Sequence, residues 1–375
     1  MEPIKSVDLT SQYLRLKTEI DEAVAEVIRS GNYINGQAVS DFAAALAAFS
    51  GSRFAIPCGN GTDALQLSLM ALDLQPGSEV IVPDFTYIAA AEAVALLRLV
   101  PVLVDVDPKT FNLAPEKLAN ALSSKTKAVI PVHLFGQSCD MAPILKIARE
   151  NNLYVIEDNA QSIGTEYVFP DGSRRQTGTM GLIGAFSFFP TKNLGCFGDG
   201  GAMTTDSEEL AERLRKLTVH GQSKKYVHEK VGVNSRLDTL QAAILKVKLA
   251  HLQSFTEARR RVAAAYDQGL QSRVDILELP YRHPASTHVF NQYVIKVKND
   301  RRDDLQKYLT SKGVPATVYY PLPMHRQPAL CGIFKTGSDL TESEKLCRSV
   351  LALPIHTEMS EEQINYIIKQ IIDYE

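Results

Sequence analysis

Leu153-Tyr154-Val155-Ile156-Glu157-Asp158 has the form of a buried strand, with an apolar run that ends on two carboxylates. The pattern before it, Asp140 to Asn151, is that of an amphipathic helix. Further upstream the same alternation repeats. Glu79-Val80-Ile81-Val82-Pro83 reads as a buried strand, Ala89 to Leu97 as a helix, and Pro101 to Asp105 as a strand. Pro115 to Leu122 reads as a helix and Lys127-Ala128-Val129-Ile130-Pro131-Val132 as a strand, while Gly61 to Leu74 supplies a helix ahead of them all. Short β-branched runs separated by helices predict an α/β fold with a large, mainly parallel sheet covered on both faces.

On either side of this region the text is more helical. Leu14, Ile20, Ala23 and Val27 outline a first helical segment broken at Gly31-Asn32, and Phe42, Leu46 and Phe49 a second ended by Gly51. After Asp206 come Glu208 to Lys216 and a long stretch from Asp238 to about Leu270, the length of a spine between two domains. The tail mixes a strand at Gln292 to Lys298, a helix at Arg302 to Lys312, a strand at Ala316 to Tyr320 and a helix at Ser360 to Tyr374. This predicts a large domain over residues 1–250 and a small C-terminal α+β domain over 251–375, with no internal repeat.

Composition narrows the function. A net charge of −3 gives no electrostatic case for nucleic acid. Five cysteines, with no C-x-x-C pair, argue against a disulfide framework or a zinc site, so no metal is expected. The start, Met1 to Ser6, lacks a signal-peptide pattern, and the most apolar stretch, Ala89 to Val104, is interrupted by Glu92 and Arg98. The expectation is a cytoplasmic protein with no membrane partner.

In open α/β sheets, ligands sit at the carboxyl ends of the strands, and four clusters fall there. Cys58-Gly59-Asn60-Gly61-Thr62-Asp63 precedes a helix, and free N–H groups at such a start attract an anion. The plainer alternative is a helix cap made by Thr62 or Asp63. Asp158 closes its strand, where a carboxylate can hold a ring nitrogen protonated or simply cap the next turn. Lys192 lies in Phe186-Ser187-Phe188-Phe189-Pro190-Thr191-Lys192-Asn193-Leu194-Gly195, followed by Gly198-Asp199-Gly200-Gly201. Apolar surroundings lower an amine toward its reactive form and disfavour the plainer alternative of a solvated loop lysine, and Ser187 could bond a phosphate. Tyr87, in Pro83-Asp84-Phe85-Thr86-Tyr87, suits stacking on an aromatic ring, although a core aromatic is the commoner role. Together the clusters fit a phosphorylated aromatic aldehyde, with other ligands still open on this argument.

At these residues the chain resembles the DegT/DnrJ/EryC1/StrS family of sugar aminotransferases. The resemblance runs along nearly the whole chain. It is carried by Gly61-Thr62-Asp63-Ala64-Leu65, Glu157-Asp158-Asn159-Ala160-Gln161-Ser162, Ser187 to Gly195, Gly198-Asp199-Gly200-Gly201-Ala202 and Asn234-Ser235-Arg236-Leu237-Asp238. The resemblance implies the fold type I (aspartate aminotransferase) architecture, pyridoxal 5′-phosphate as cofactor, and a homodimer with shared active sites. It assigns Lys192 as the Schiff-base lysine and Asp158 as the partner of the ring nitrogen. Gln161 falls near the ring hydroxyl, Gly61, Thr62 and Ser187 at the phosphate, and Tyr87 over the ring. Asn234 would reach the phosphate from the neighbouring subunit. His220-Gly221-Gln222 and Val231 to Ile244 are most similar to UDP-2-acetamido-2-deoxy-3-oxo-glucuronate aminotransferases. That likeness implies Arg236 at a substrate carboxylate, with Tyr319 and Tyr320 touching substrate from the partner subunit. Asn159, where alanine is commoner, and Tyr319, where histidine is frequent, depart from the family pattern.

The activity implied is transfer of an amino group from L-glutamate to a nucleotide-linked ketosugar, a UDP-sugar, for lipopolysaccharide or O-antigen synthesis. Alternatives within the family are an aminotransferase for a 3-keto or 4-keto 6-deoxy sugar and a dehydratase. The dehydratases carry histidine where this chain has Lys192. A non-catalytic regulator keeping the cofactor fold is the alternative of a different class, and it would be expected to lose Lys192 or Asp158. His325, in Pro323-Met324-His325-Arg326, invites assignment as a base, but a loop histidine near the domain interface is the simpler expectation. Cys58 and Cys196, close to the site segments, read as packing residues.

Overall fold

The computed structural model describes residues 2–375. An eight-stranded sheet runs in the order Phe54–Cys58, Gly201–Thr205, Ile183–Ser187, Tyr154–Asp158, Thr126–Val129, Glu79–Pro83, Val100–Val104, Lys335–Thr336. From Ile183–Ser187 to the Lys335–Thr336 edge every pairing is parallel. Gly201–Thr205 is antiparallel to both of its neighbours. The reason is its connection: residues 188–200 contain no helix, and a parallel return would need a crossover. The Lys192 segment is that connection.

Glu79–Pro83 is buried along its whole length, which is why it reads as an unbroken apolar run rather than an alternation. The helix Met141–Glu150 buries Met141, Ile144 and Ala148, the three-and-four spacing of one apolar face. The helix Gly61–Ala71 buries six residues and packs on the Ile183–Ser187 and Gly201–Thr205 strands, which anchors its first turn at the sheet's carboxyl edge.

Several expectations need correction. The Asp238–Leu270 stretch is two helices, Thr239–Ala250 and Leu252–Gly269, divided at His251. The first packs on the N-terminal helices Lys17–Ser30 and Gln37–Ser50, and the second on the C-terminal helix Glu361–Ile372. Ala316 to Tyr320 is not a strand. Only Thr317 bridges Ala352, after which the chain turns away to carry its tyrosines against Phe85. The second sheet is instead Leu277–Glu278, Tyr293–Val297 and Val350–Leu353, all antiparallel. Its core joins Tyr266, Tyr293, Leu305, Leu351 and Ile367, and Ile4 from the other end of the chain.

Four sheet strands are absent from the sequence reading. Pro57 hides Phe54–Cys58, and the structure puts that strand at a sheet edge, where a missing N–H costs nothing. Lys335–Thr336 is too short to show a period, yet Lys335 pairs with Glu79 at 2.6 Å. All five cysteines are free. Among the described residues no helix is long and apolar enough to cross a membrane.

Two buried histidines give the fold an acid-sensitive term. Burial, aided by Arg259, pushes His356 down to about 4, and burial with Arg282 and Arg260 pushes His288 well below 6.5. The unfolded chain therefore takes up protons first, so stability is intact above pH 6.5 and falls as pH drops from there toward 4. The slope reaches about 1.4 kcal/mol per pH unit for each histidine. Urea unfolding between pH 7 and 4.5 should show this decline, and His356→Asn should flatten it. A variant with the wild-type slope would contradict the assignment.

Candidate active site

Strand alternation puts Glu157 and Asp158 on opposite sides of the sheet. Glu157 is fully buried, and its carboxylate accepts Gly178 N–H at 2.9 Å and the N–H groups of Met180 and Gly181 at 2.6 Å each. His133 completes the shell. Its Nδ1 accepts Cys139 N–H at 3.1 Å, so Nε2 carries the hydrogen and donates to Glu157 at 2.8 Å. Asp158, on the other side, has far fewer donors. One oxygen accepts Ala160 N–H at 3.0 Å. Burial raises its carboxyl above the usual range, opposed by that hydrogen bond and by the charge of Lys192. Asn159 turns away from the site, donating to Thr177 O at 3.0 Å and accepting from Ser162. Its departure from the family pattern thus serves a buried hydrogen-bond network and not ligand contact.

The Lys192 loop is fixed from behind. Cys196 N–H donates to Phe188 O at 2.8 Å, Asn193 Nδ2 to Val289 O at 2.9 Å, and the buried Lys248 ammonium to Gly195 O at 2.5 Å. A Cβ on Gly195 would meet Pro190 O at 2.3 Å, so only glycine closes this turn. Lys192 itself makes no side-chain hydrogen bond among the described residues. Desolvation lowers its ammonium from the usual lysine value, and the Asp158 carboxylate pulls the other way. The two groups are electrostatic partners in a poorly solvated space.

Beside them lies the anion cradle. The cap of the Gly61–Ala71 helix is Asn60, whose side chain accepts Asp63 N–H at 2.8 Å; Thr62 and Asp63 are inside the helix and not its cap. The first N–H groups, Gly61 and Thr62, have no intrahelical partner. Ser187 abuts them so closely that a Cβ on Gly61 would lie 2.6 Å from the Ser187 Cβ. Ser235 locks the loop, accepting Gly59 N–H at 2.9 Å and donating to Asp63 at 2.6 Å. Gly61→Ala should weaken binding of a phosphorylated ligand at least tenfold and cost about 1–3 kcal/mol of stability through overpacking. Titration with the ligand and a urea melt would measure both, and a neutral result would remove Gly61 from the cradle.

The aromatic wall forms on the other side. Tyr87 is 60% exposed, and its ring centroid lies 6.3 Å from that of Tyr320. Gln161 accepts Phe135 N–H at 2.8 Å and donates to the Tyr320 hydroxyl at 3.1 Å. Tyr320 therefore meets Gln161 of its own chain, where the resemblance implied contact from the partner subunit. Tyr319 is half-buried next to it. Asn234 and Arg236 face a separate cleft of about 380 Å³, with His220, Lys224 and Lys225, that includes neither Lys192 nor Asp158. Within one chain the structure thus unites Lys192, Asp158, Gly61, Thr62, Ser187, Gln161, Tyr87 and Tyr320. It leaves Asn234 and Arg236 apart, with Ser235 between them bonded to Gly59 and Asp63.

A helix start with a serine hydroxyl, a buried carboxylate, a desolvated amine and an exposed ring answer the separate parts of a phosphorylated pyridine aldehyde. The donor set fits that group. Sequence reasoning missed His133, Phe135 and Ser235. The only available signal was their place in polar loops beside the recognised clusters, since partners distant in sequence create their roles.

The sequence model of the DegT/DnrJ/EryC1/StrS aminotransferase family matches residues 15–372. A UDP-2-acetamido-2-deoxy-3-oxo-D-glucuronate aminotransferase from Pseudomonas aeruginosa is 43% identical over 97% of this chain and 98% of its own. A pleiotropic regulatory protein of Geobacillus stearothermophilus is 44% identical over 99% of this chain and 98% of its own. The crystal structure of S. venezuelae DesV in complex with a ketimine intermediate superposes with a TM-score of 0.94 at 39% identity, covering 99% of this chain and 98% of that one.

Proposed function

The chain belongs to the DegT/DnrJ/EryC1/StrS aminotransferase family, and on that premise we propose that it transfers the amino group of L-glutamate to a keto group of a nucleotide-linked sugar, with pyridoxal 5′-phosphate as cofactor. The observation that carries the reading is the pairing of a desolvated amine, Lys192, with the buried carboxylate of Asp158 beside the Gly61–Ser187 cradle. Lys192 would hold the cofactor's aldehyde carbon, Asp158 its ring nitrogen, and Gly61, Thr62 and Ser187 its phosphate. Gln161 would lie near the ring hydroxyl, and Tyr87 against the ring face. When bound, the cofactor withdraws electrons from the substrate carbon that bears the migrating nitrogen.

The chain's own residues do the rest. Asp158, kept ionised by a cationic partner, holds that partner's proton in place. Lys192 Nζ, as a free amine, would take the proton from the substrate carbon and hold it for return on the far side of the migrating nitrogen. Desolvation lowers its basicity, which favours the free amine that accepts a proton.

For the sugar we favour UDP-2-acetamido-2-deoxy-3-oxo-glucuronate, made in the cytoplasm for a surface polysaccharide. The P. aeruginosa relative supports it, as does Arg236, a guanidinium suited to a uronate carboxylate. In this reading the enzyme is a homodimer. Its Asn234–Arg236 cleft meets the neighbour's site, and the chain divides near the His251 break into units 1–250 and 251–375, with Lys335–Thr336 returning to the large sheet and Ile4 to the small core. The regulatory role named for the Geobacillus relative gains no support from a site that keeps both Lys192 and Asp158. Borohydride reduction and peptide mass spectrometry should place the cofactor adduct on Lys192; an adduct elsewhere, or none, would refute the cofactor assignment. Glutamate-coupled turnover of a panel of uronate and 6-deoxy ketosugars then tests the substrate. Preference for the 6-deoxy sugars would transfer the assignment to that class.

A further inference from the structure

Asp84 follows the Glu79–Pro83 strand and is wholly buried at the root of the loop that carries Tyr87. A buried carboxylate must be given donors. They come from a segment 241 residues further along the chain: His325 N–H donates to one Asp84 oxygen at 2.8 Å. His325 Nδ1 lies 2.7 Å from the other oxygen, and Met324 N–H donates to the Asp84 carbonyl at 3.0 Å. The second ring nitrogen, Nε2, lies 3.1 Å from Glu344 Oε1. Glu344 in turn accepts Arg326 Nε at 3.0 Å and Nη2 at 2.6 Å, and Arg348 Nη2 at 3.2 Å.

Ionised carboxylates only accept hydrogen bonds, so an imidazole with a carboxylate oxygen at each nitrogen needs a hydrogen on both. A neutral ring would turn a lone pair toward one of them. The arrangement leaves His325 no free nitrogen and excludes it as a general base. Its value lies in what it joins. Tyr87 stands three residues beyond Asp84, and Tyr320 five residues before His325. The Phe85 and Tyr320 rings are 6.0 Å apart, and Tyr320 is held by Gln161.

We propose that His325 is a positioning residue: a doubly protonated ring clamped between Asp84 and Glu344, which ties the Asp84–Tyr87 loop to the Tyr319–Met324 segment and so sets the Tyr87–Tyr320 wall beside Gln161. Its catalytic consequence rests on the proposed function, but the clamp does not. A displacement of a positioned group by about 1 Å can cost about a hundredfold in rate. At this joint the His325 ring adds to the two backbone ties, from the Met324 and His325 N–H groups to Asp84, and it alone reaches Glu344 from there.

The test uses the holoenzyme with ¹⁵N-labelled histidine. The His325 signal, assigned by its loss in His325→Asn, should show two protonated ring nitrogens at pH 7; a neutral ring, with the proton on Asp84 instead, overturns the proposal. His325→Leu should lower kcat per folded, cofactor-loaded enzyme by about tenfold or more, with KM for glutamate changed less. His325→Asn, whose amide can still donate to Asp84, should recover most of that loss. A leucine variant with wild-type kcat, or crystals of it with the Tyr87–Tyr320 spacing unchanged, would also overturn the clamp. If the wild type shows no transamination, the proposed function fails, while the ring signal and the tyrosine spacing still decide the clamp.

Discussion

Lys192→Ala should reduce transamination by at least about 10⁴-fold while the protein stays folded. The size follows from two tasks lost together, covalent attachment of the cofactor and transfer of the proton. Neither has a substitute nearby. Lys248, a buried lysine close to the loop, is held by Gly195 O and lies over the Phe197 ring. Stability should be spared because the Lys192 side chain forms no hydrogen bond among the described residues and its ammonium is desolvated. Glutamate-dependent turnover and a thermal melt measure the two expectations. A small primary amine added to the variant should restore a little activity by replacing the lost base. Turnover above about one hundredth of wild type without that amine would show that another group performs the proton transfer.

Asp158→Asn should lower kcat on the order of 10³-fold, with KM much less affected. The asparagine oxygen can still accept Ala160 N–H, the only hydrogen bond the Asp158 side chain accepts among the described residues, so the local turn survives. What disappears is the negative charge that holds a proton on the ring nitrogen. Asp158 is buried, so solvent cannot supply a replacement charge. Borohydride trapping should still label Lys192 in this variant, which separates loss of the electron sink from loss of the cofactor. Stopped-flow spectra of the glutamate reaction would report the slow step directly. A fall of less than tenfold would show that the ring nitrogen needs no anionic partner here.

The recognised clusters were legible because each is local. Gly61-Thr62, Glu157-Asp158 and Ser187 through Gly195 lie at strand ends or helix starts, where a few consecutive residues fix both backbone and chemistry. Elements that depend on distant partners were not legible. Phe54–Cys58 is a strand only because Gly201–Thr205 pairs with it, and Ala316–Tyr320 carries a strand-like composition but goes to the aromatic wall. Tyr320 illustrates the same limit at the site. The family resemblance implied substrate contact for it, but only packing could show that it meets Gln161 of its own chain.

The order of residues alone therefore determined the alternating α/β architecture and marked the Lys192, Asp158 and Gly61 segments as candidates, because periodicity and short-range backbone geometry are local, while the resemblance to the family supplied their expected roles. Tertiary structure decided the state of those groups. Burial lowers the Lys192 amine and raises the Asp158 carboxyl, and long-range hydrogen bonds from His133, Ser235 and His325 hold the loops that bear the site. Desolvation and contacts between remote segments are properties of a packed interior, and they do not exist until the chain has folded.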